Sequence, residues 1–293
     1  MKADIYGMDG KKSKSINLPK QFTESIRPDL IRKANNVAEA NSQQPYGAFP
    51  GAGIRAAAEM SRRRKAFKGS YGHGMSRVPR KHSWRRGTQF GYTGAFAPGT
   101  VSGRKAHPPK ADQDRSKSIN KNERRLAIRS AISSTIIADL VTARGHRFEN
   151  LISVVDNKVE SLNKTKDVEA LLLKLNLKDE LARISVKKVR AGRGTMRNRK
   201  YKTKKGPLFV VSKNCPLTDA ASNMLGVDVC EVRNLNVRLL APGGQPGRMT
   251  LFSEEAINLM EKNKLFFKTI KKETKPKVEK KTKETKKWKI HTA

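Results

Sequence analysis

The chain has 293 residues, and its 63 Lys+Arg against 26 Asp+Glu give a formal net charge of +37. That length allows one large or two modest domains with a genuine core, but the charge is far above the single-digit values of ordinary soluble domains. Such a field repels itself, so the compact state calls for a polyanion, with nucleic acid ahead of an anionic membrane surface. No apolar run approaches the roughly 18 residues of a spanning helix, and the opening MKADIYGMDG has no apolar signal core, so a soluble intracellular protein is expected.

In chain order, Ala3–Tyr6 and Ile16–Pro19 read as short strands, and Asp29–Ala40 (DLIRKANNVAEA) as a helix started by Pro28. From Met60 to Ala111 there are thirteen Lys or Arg and no acid, and no apolar periodicity, so no regular element is expected there. Asn120–Gly145 is the firmest predicted helix, with Asn120 as cap, Glu123 in capping-box position and Gly145 as stop. Leu151–Val155, Leu208–Ser212, Val227–Val232 and Met249–Phe252 read as strands. Helices are expected over Asp167–Leu175, Lys178–Ile184, Asp219–Leu225 and Ser253–Asn263, the last capped by Ser253.

Strands alternating with helices predict an α/β fold: a three-layer, parallel or mostly parallel sheet with helices on both faces. A single globular domain over 1–262 is then interrupted by a long extended basic loop at 61–110. A Lys-rich tail follows at 263–293, with too little apolar content to order itself.

The chemistry points one way. Cys215 and Cys230 form no CxxC, the five histidines are scattered, and no metal site is expected. AGRGTMRNR at Ala191–Arg199 matches neither GxxxxGK[ST] nor a dinucleotide fingerprint, so no nucleotide cofactor is expected. The carboxylates Glu123, Asp139, Asp167, Glu169, Glu254 and Glu255 sit at capping or solvated helix positions, which argues against catalysis.

Aromatics separate the internal loop from a merely solvated charge run. Phe67, Tyr71, Trp84, Phe90, Tyr92 and Phe96 are interleaved with cations, and bases stack on such rings at roughly 1–3 kcal/mol each. Arginine outnumbers lysine in the loop, favouring bidentate phosphate contacts. Ordering some fifty residues at about 1–2 kcal/mol each requires a partner that encloses them, as folded RNA would. The candidate RNA-binding residues are Arg62, Arg63, Arg64, Lys68, Arg77, Arg80, Lys81, Trp84, Arg85, Arg86, Phe90, Tyr92, Arg104, Lys105 and His107. A second basic block, Lys187–Lys205, adds Arg190, Arg193, Arg197, Arg199, Lys200 and Lys202.

Several long words carry a resemblance: IRPDLI, QPYG, RVPR, GRKAHPPK, NKNERRLAIRSAISST, RGH, RAGRGTMRNRKY, GPLFVVS and GVDVCEVRNLNVRLLAPGGQPGR. The chain resembles the archaeal and eukaryotic branch of the universal large-subunit ribosomal protein four family, from its first strand to about Asn263, and its length is archaeal in style. The resemblance implies a non-enzymatic structural constituent of the large subunit, cytoplasmic in the ribosome, that binds large-subunit ribosomal RNA and acts early in assembly. It also implies a loop that lines the nascent-peptide exit tunnel. Expected partners are therefore the ribosomal RNA, neighbouring tunnel proteins and the nascent peptide, with no membrane. By position, Arg77–Tyr92 forms the distal part of the loop, with Arg62–Arg64 and Arg104–Lys105 on its limbs. The readings of another class are an RNA-processing enzyme with a basic insertion, and a regulatory RNA-binding module acting off the ribosome.

Overall fold

The computed structural model describes residues 1–65, 69–87 and 89–267. Its elements are β1 (Lys2–Tyr6), β2 (Lys12–Asn17), α1 (Pro28–Asn41), β3 (Arg80–Arg86), β4 (Gln89–Gly94), α2 (Lys121–Ser133), α3 (Ala138–Ala143), β5 (Val154–Val155), α4 (Thr165–Lys174) and α5 (Lys178–Ser185). There follow β6 (Lys188–Val189), β7 (Tyr201–Lys202), β8 (Leu208–Val211), α6 (Leu217–Ser222), β9 (Asp228–Glu231), α7 (Val237–Leu240), β10 (Thr250–Ser253) and α8 (Glu254–Lys262). The chain divides into two compact units, one built from Met1–Arg32 with Asn120 onward and the other from Lys33–Ile119.

The first unit is a mixed α/β structure around a six-stranded sheet of order β2-β1-β5-β10-β8-β9. Only the β1/β2 pair is antiparallel; β1–β5, β5–β10, β10–β8 and β8–β9 are parallel. The sequence of β8, LFVV, explains its interior place, between β10 and the edge strand β9. All four residues are buried, and an unbroken apolar run suits a strand covered on both sides. At the sheet edge β2 reads KSKSIN and is almost wholly exposed, the lysine pattern that discourages pairing with a further strand.

The period-two alternation sorts side chains between the two faces. Phe209, Val211 and Leu251 join Val141, Val168, Leu171, Leu172, Leu217 and Ala221 in one apolar cluster. Phe252, the next residue on β10, meets the Phe22 ring edge-on at 5.1 Å instead.

Two sequence expectations for this unit need correction. The helix predicted over Asn120–Gly145 is two helices, α2 and α3. Asn120 does cap, accepting from the Asn122 N–H at 3.0 Å. The break comes where Ser133, Ser134 and Thr135 turn their hydroxyls back onto the carbonyls of Ser130, Ala131 and Ile132 at 3.0, 2.7 and 2.7 Å. Hydroxyl back-bonding competes with the helix ladder, and the β-branched run Thr135–Ile137 that follows has poor helix propensity. The second strand also lies earlier than expected, because the register that pairs Ile16 with Ala3 carries the pairing back through Lys12, while Pro19 already leads into a single turn of tight helix.

The second unit corrects a larger expectation. The basic stretch from Met60 to Ala111 is not devoid of regular structure, because β3 and β4 form an antiparallel hairpin within it. Its pattern was hidden because Phe90 and Tyr92, two residues apart on β4, give only one step of alternation, and the ring they close on, His82, stands among cations on β3.

Candidate nucleic-acid interface

In the second unit the hairpin pairs Lys81 with Thr93, His82 with Tyr92 and Arg85 with Phe90, with an irregularity between His82 and Arg85. The His82 and Tyr92 rings stack at 4.9 Å, and Phe90 meets both edge-on at 5.3 Å, a cross-strand cluster of the kind that stabilises an isolated ribbon. Arg80 closes its end. The guanidinium stands 5.2 Å from the Tyr92 ring centre and donates to the Ser76 carbonyl at 3.0 Å. A side chain at Gly91 would collide with the Trp84 indole, so this glycine lets the indole lie across the backbone while Trp84 stays 56% exposed.

The predicted residues therefore divide. Phe90 and Tyr92 are half-buried in the ring cluster, Arg80 and Lys81 are half-buried, and Trp84, Arg77, Arg85 and Arg86 stand outward. Arg77 lies over Tyr71 at 5.6 Å, and Arg85 donates to the Gly87 carbonyl at 3.0 Å. Arg62, Arg63, Arg64, Arg104, Lys105 and His107 are exposed, whereas Lys68 and Phe67 lie outside the described residues.

Below the hairpin the two limbs are joined by a ladder of contacts. The Asn41 side chain pairs with the Lys117 backbone on both sides, accepting at 2.8 Å and donating at 3.0 Å. Arg115 donates to the Tyr46 carbonyl at 3.1 Å and stacks 4.1 Å above its ring, and the Ala48 N–H reaches the Pro109 carbonyl at 2.9 Å. Gly53, with φ +80°, lets the chain touch the Arg104 backbone where any Cβ would clash. Residues 47–54, 102–106 and 108–112 thereby line a cleft of about 780 Å³ into which Arg104 and Lys105 bring positive charge.

In the first unit, the block Lys187–Lys205 forms a second hairpin, β6–β7, pairing Lys188 with Lys202 and Val189 with Tyr201. Arg190 braces its loop. Its side chain packs across Gly194 and donates to the Arg199 carbonyl at 3.1 Å, while Thr195 donates to the Arg190 carbonyl at 2.6 Å. Arg193, Arg197, Arg199, Lys200 and Lys202 are exposed around it, with Lys200 5.6 Å from the Tyr201 ring centre. Most cations of this hairpin point to solvent from a backbone fixed by its own hydrogen bonds, a preorganised arrangement for phosphates.

Sequence reasoning missed the buried charges of this unit, because their partners are far apart in the chain. Glu180 is fully buried and accepts from Arg183 at 2.6 and 2.7 Å, from His146 at 2.7 Å and from the Arg147 N–H at 3.1 Å. Burial alone would raise its pKa, but the bonds from Arg183 and His146 prevail and hold it down at about 2. Arg248, also fully buried, donates to the carbonyls of Gly206 and Leu239 at 2.9 Å and to Asp228 at 2.6 Å. Burial pushes the Arg248 pKa down, and Arg144 falls to about 10, first from burial and then from the nearby charges of Arg248 and Arg183.

A carboxylate and hydroxyl grouping does exist at the carboxyl ends of β8 and β10, where α/β folds often place their ligands. Glu160 accepts there from the Ser212 N–H and hydroxyl, both at 2.8 Å, and from the Ser253 hydroxyl at 2.6 Å. Ser212 also donates to Glu255 at 3.2 Å. Both Glu160 oxygens are thus occupied in tying strand ends together. The grouping is a brace across the crevice.

A sequence model described as the Ribosomal protein L4/L1 family matches residues 16–263. The chain belongs to this family. It is 45% identical over 268 residues to the large ribosomal subunit protein uL4 of Nanoarchaeum equitans, covering 91% of this chain and all of that relative. The proteins of the same name from Methanococcoides burtonii and Haloquadratum walsbyi are each 42% identical over 261 residues, covering 88% of this chain and 97% and 98% of theirs. The match takes in both basic hairpins and the braced crevice alike.

Proposed function

We infer that this chain is a structural, non-enzymatic constituent of the large ribosomal subunit in the cytoplasm, and that it binds large-subunit ribosomal RNA from early in assembly. The family match over residues 16–263 carries the reading. The geometry supports the RNA-binding part, since two hairpins in different units present exposed Arg and Lys on hydrogen-bonded backbones. The chemistry is charge neutralisation: arginine forks clamp phosphates of RNA segments that would otherwise repel one another.

The finer assignments belong to the same proposal. Residues 61–110 act as an extended insertion in a domain spanning 1–262, and 263–293 as a basic tail. Opposite faces of the sheet bury different side-chain sets, which supports a three-layer arrangement with helices on both sides. The distal hairpin, with Arg77, Arg80, Lys81, Trp84, Arg85, Arg86, Phe90 and Tyr92, lines the exit tunnel, facing the nascent peptide and neighbouring proteins. Arg62, Arg63, Arg64, Lys68, Arg104, Lys105 and His107 hold RNA along the limbs, and Arg190, Arg193, Arg197, Arg199, Lys200 and Lys202 hold it at the second hairpin.

Deleting Ser61–Lys110 from the full chain tests this. A folded protein that no longer co-sediments with large subunits in high salt is expected. Normal incorporation of the deletion variant overturns the role given to the insertion.

A further inference from the structure

We propose that Arg183, held by the buried carboxylate of Glu180, is a positioning residue for the second basic hairpin: it fixes the direction in which β6–β7 leaves the fold and so aims that hairpin's arginines. The proposal rests on the functional reading above and adds to it the interior residues that orient one of the two hairpins. The block between Lys187 and Lys205 leaves the fold after α5 and returns to it just before β8. Among the described residues, the hydrogen bonds of 188–202 run within the ribbon, as from the Arg190 N–H to the Lys200 carbonyl at 2.8 Å. Its direction is therefore set at its feet.

The feet are built as a clamp. Lys187, Lys188, Lys204 and Lys205 bring four cations to the place where the ribbon meets the fold, and their repulsion spreads the two strands unless it is countered. From α5, the Arg183 Nη2 donates to the Lys205 carbonyl at 2.7 Å, a bond that spans 22 residues of chain. The same guanidinium is locked from behind, with Nε and Nη2 on the two Glu180 oxygens at 2.7 and 2.6 Å, and Glu180 is fixed in turn by His146 and the Arg147 N–H. From the sheet, Asp228 takes the Lys205 ammonium at 2.9 Å, and Arg248 donates to the Gly206 carbonyl at 2.9 Å. Two glycines let these parts touch. The Gly206 N–H reaches the Gly226 carbonyl at 2.8 Å, and at Gly226, with φ +76°, a Cβ would overlap the Lys204 carbonyl.

A buried carboxylate is costly unless it is paired, and this one holds a guanidinium that also reaches a backbone carbonyl on the returning foot of the hairpin. A planar fork serves both partners at once. A lysine ammonium at the same place keeps the charge opposite Glu180 and loses the fixed second direction. The consequence for binding follows from preorganisation. A ribbon held at one angle presents Arg193, Arg197 and Arg199 together, whereas a swinging one gives up that freedom on meeting RNA, which weakens binding without removing a phosphate contact.

The test is a double-mutant cycle on binding of the full chain to deproteinised large-subunit ribosomal RNA, with Arg183→Lys as one change and Arg193→Gln, Arg197→Gln, Arg199→Gln together as the other. Arg183→Lys alone is expected to weaken binding about fivefold, the size of one modest hydrogen bond, with the slope of log K against log salt unchanged. On top of the three hairpin substitutions it is expected to cost nothing further, because no charged hairpin is left to aim. Losses of equal size in both backgrounds overturn the proposal, since they make Arg183 a general structural residue. Unweakened binding by Arg183→Lys also overturns it, as does a lowered slope, which would put Arg183 on a phosphate. Where Arg183→Lys unfolds too readily for binding to be measured, Lys205→Gln, an exposed member of the same foot, runs the same cycle with an expected loss of about twofold and the same overturning results. If the three hairpin substitutions leave binding at the wild-type level, or the wild-type chain does not bind the RNA, the functional reading of this hairpin itself fails, and the proposal with it.

Discussion

Both units set arginines out on a basic hairpin, but the α/β unit also turns a second set into its interior. In the α/β unit Arg248, Arg183 and Arg144 turn inward, their donors engaged by carbonyls and carboxylates: Gly206, Leu239 and Asp228 for the first, Glu180 and the Lys205 carbonyl for the second, Pro242 and Gln245 for the third. In the second unit Arg62, Arg63, Arg64, Arg77, Arg85, Arg86 and Arg104 turn outward. Net charge is therefore a poor guide to what a given arginine does. The deciding feature is whether acceptors converge on it from several parts of the chain, which makes the residue part of the core, or whether it is set out on a ribbon for an anion to find.

That contrast is most exposed to refutation at Arg248. Replacing it with Met removes a fully buried guanidinium, leaves Asp228 with Lys205 as its remaining ion-pair partner, and deprives two carbonyls of their donors. Breaking a buried pair by removing one partner costs about 3–5 kcal/mol, or roughly 10 °C in the melting temperature of a unit this size. The outward substitutions Arg77→Gln, Arg85→Gln and Arg86→Gln are expected to shift stability by no more than about 0.5 kcal/mol each. Circular dichroism melts of Arg248→Met and of each outward variant make the comparison directly, and equal melting temperatures would break it.

Glu180 sharpens the same point through pH. Its pKa in the folded chain is depressed from the ordinary 4.5 to about 2. Stability from this group is complete above about pH 4.5, and is lost as pH falls toward 2 because the unfolded chain takes up the proton first. The loss is on the order of 3 kcal/mol. Glu180→Gln is less stable at neutral pH and lacks this component of the acid-limb slope, a difference that denaturant titrations at pH 5 and pH 3 resolve. Identical acid limbs would remove Glu180 from the account.

A smaller effect concerns the outward set. Arg77→Gln with Arg85→Gln and Arg86→Gln is expected to reduce the salt slope of ribosomal RNA binding by about 0.7–0.9 for each residue that touches a phosphate, with no change in fold. Trp84→Ala in the same assay weakens binding by about 1–3 kcal/mol if a base stacks there, without altering the slope.

How far this was legible in the sequence follows from how far apart the cooperating residues lie. Local devices were readable: Asn120 and Ser253 cap the helices expected of them, and the apolar runs at 208–212 and 249–252 form the adjacent interior strands β8 and β10. The neighbours themselves were not readable, because β10 inserts between β5 and β8, against chain order. Nor were the braces. His146 meets Glu180 across 34 residues and Glu160 meets Ser253 across 93, and neither pair has any signature along the chain. In the basic stretch, composition marked the aromatics as candidate base-stacking groups. The structure puts two of them, Phe90 and Tyr92, into a cross-strand cluster with His82 and leaves Trp84 outside it.

The finest test lies at the foot of the second unit. The Asn41 side chain imitates one step of a strand pair, accepting from the Lys117 N–H and donating to the Lys117 carbonyl. Both residues are exposed, so Asn41→Ala removes two bonds of modest net value, about 1 kcal/mol together, and water replaces them. The expected result is a roughly fivefold faster exchange of the Lys117 amide, with the amides of β3 and β4 unchanged, since the hairpin has its own ladder and cross-strand ring contacts. Faster exchange spreading through the Ala48–Pro109 contact and into the hairpin would mean that the ladder opens as one cooperative body. The outward arginines would then owe their placement to the clip at Asn41 as well as to the ribbon that carries them.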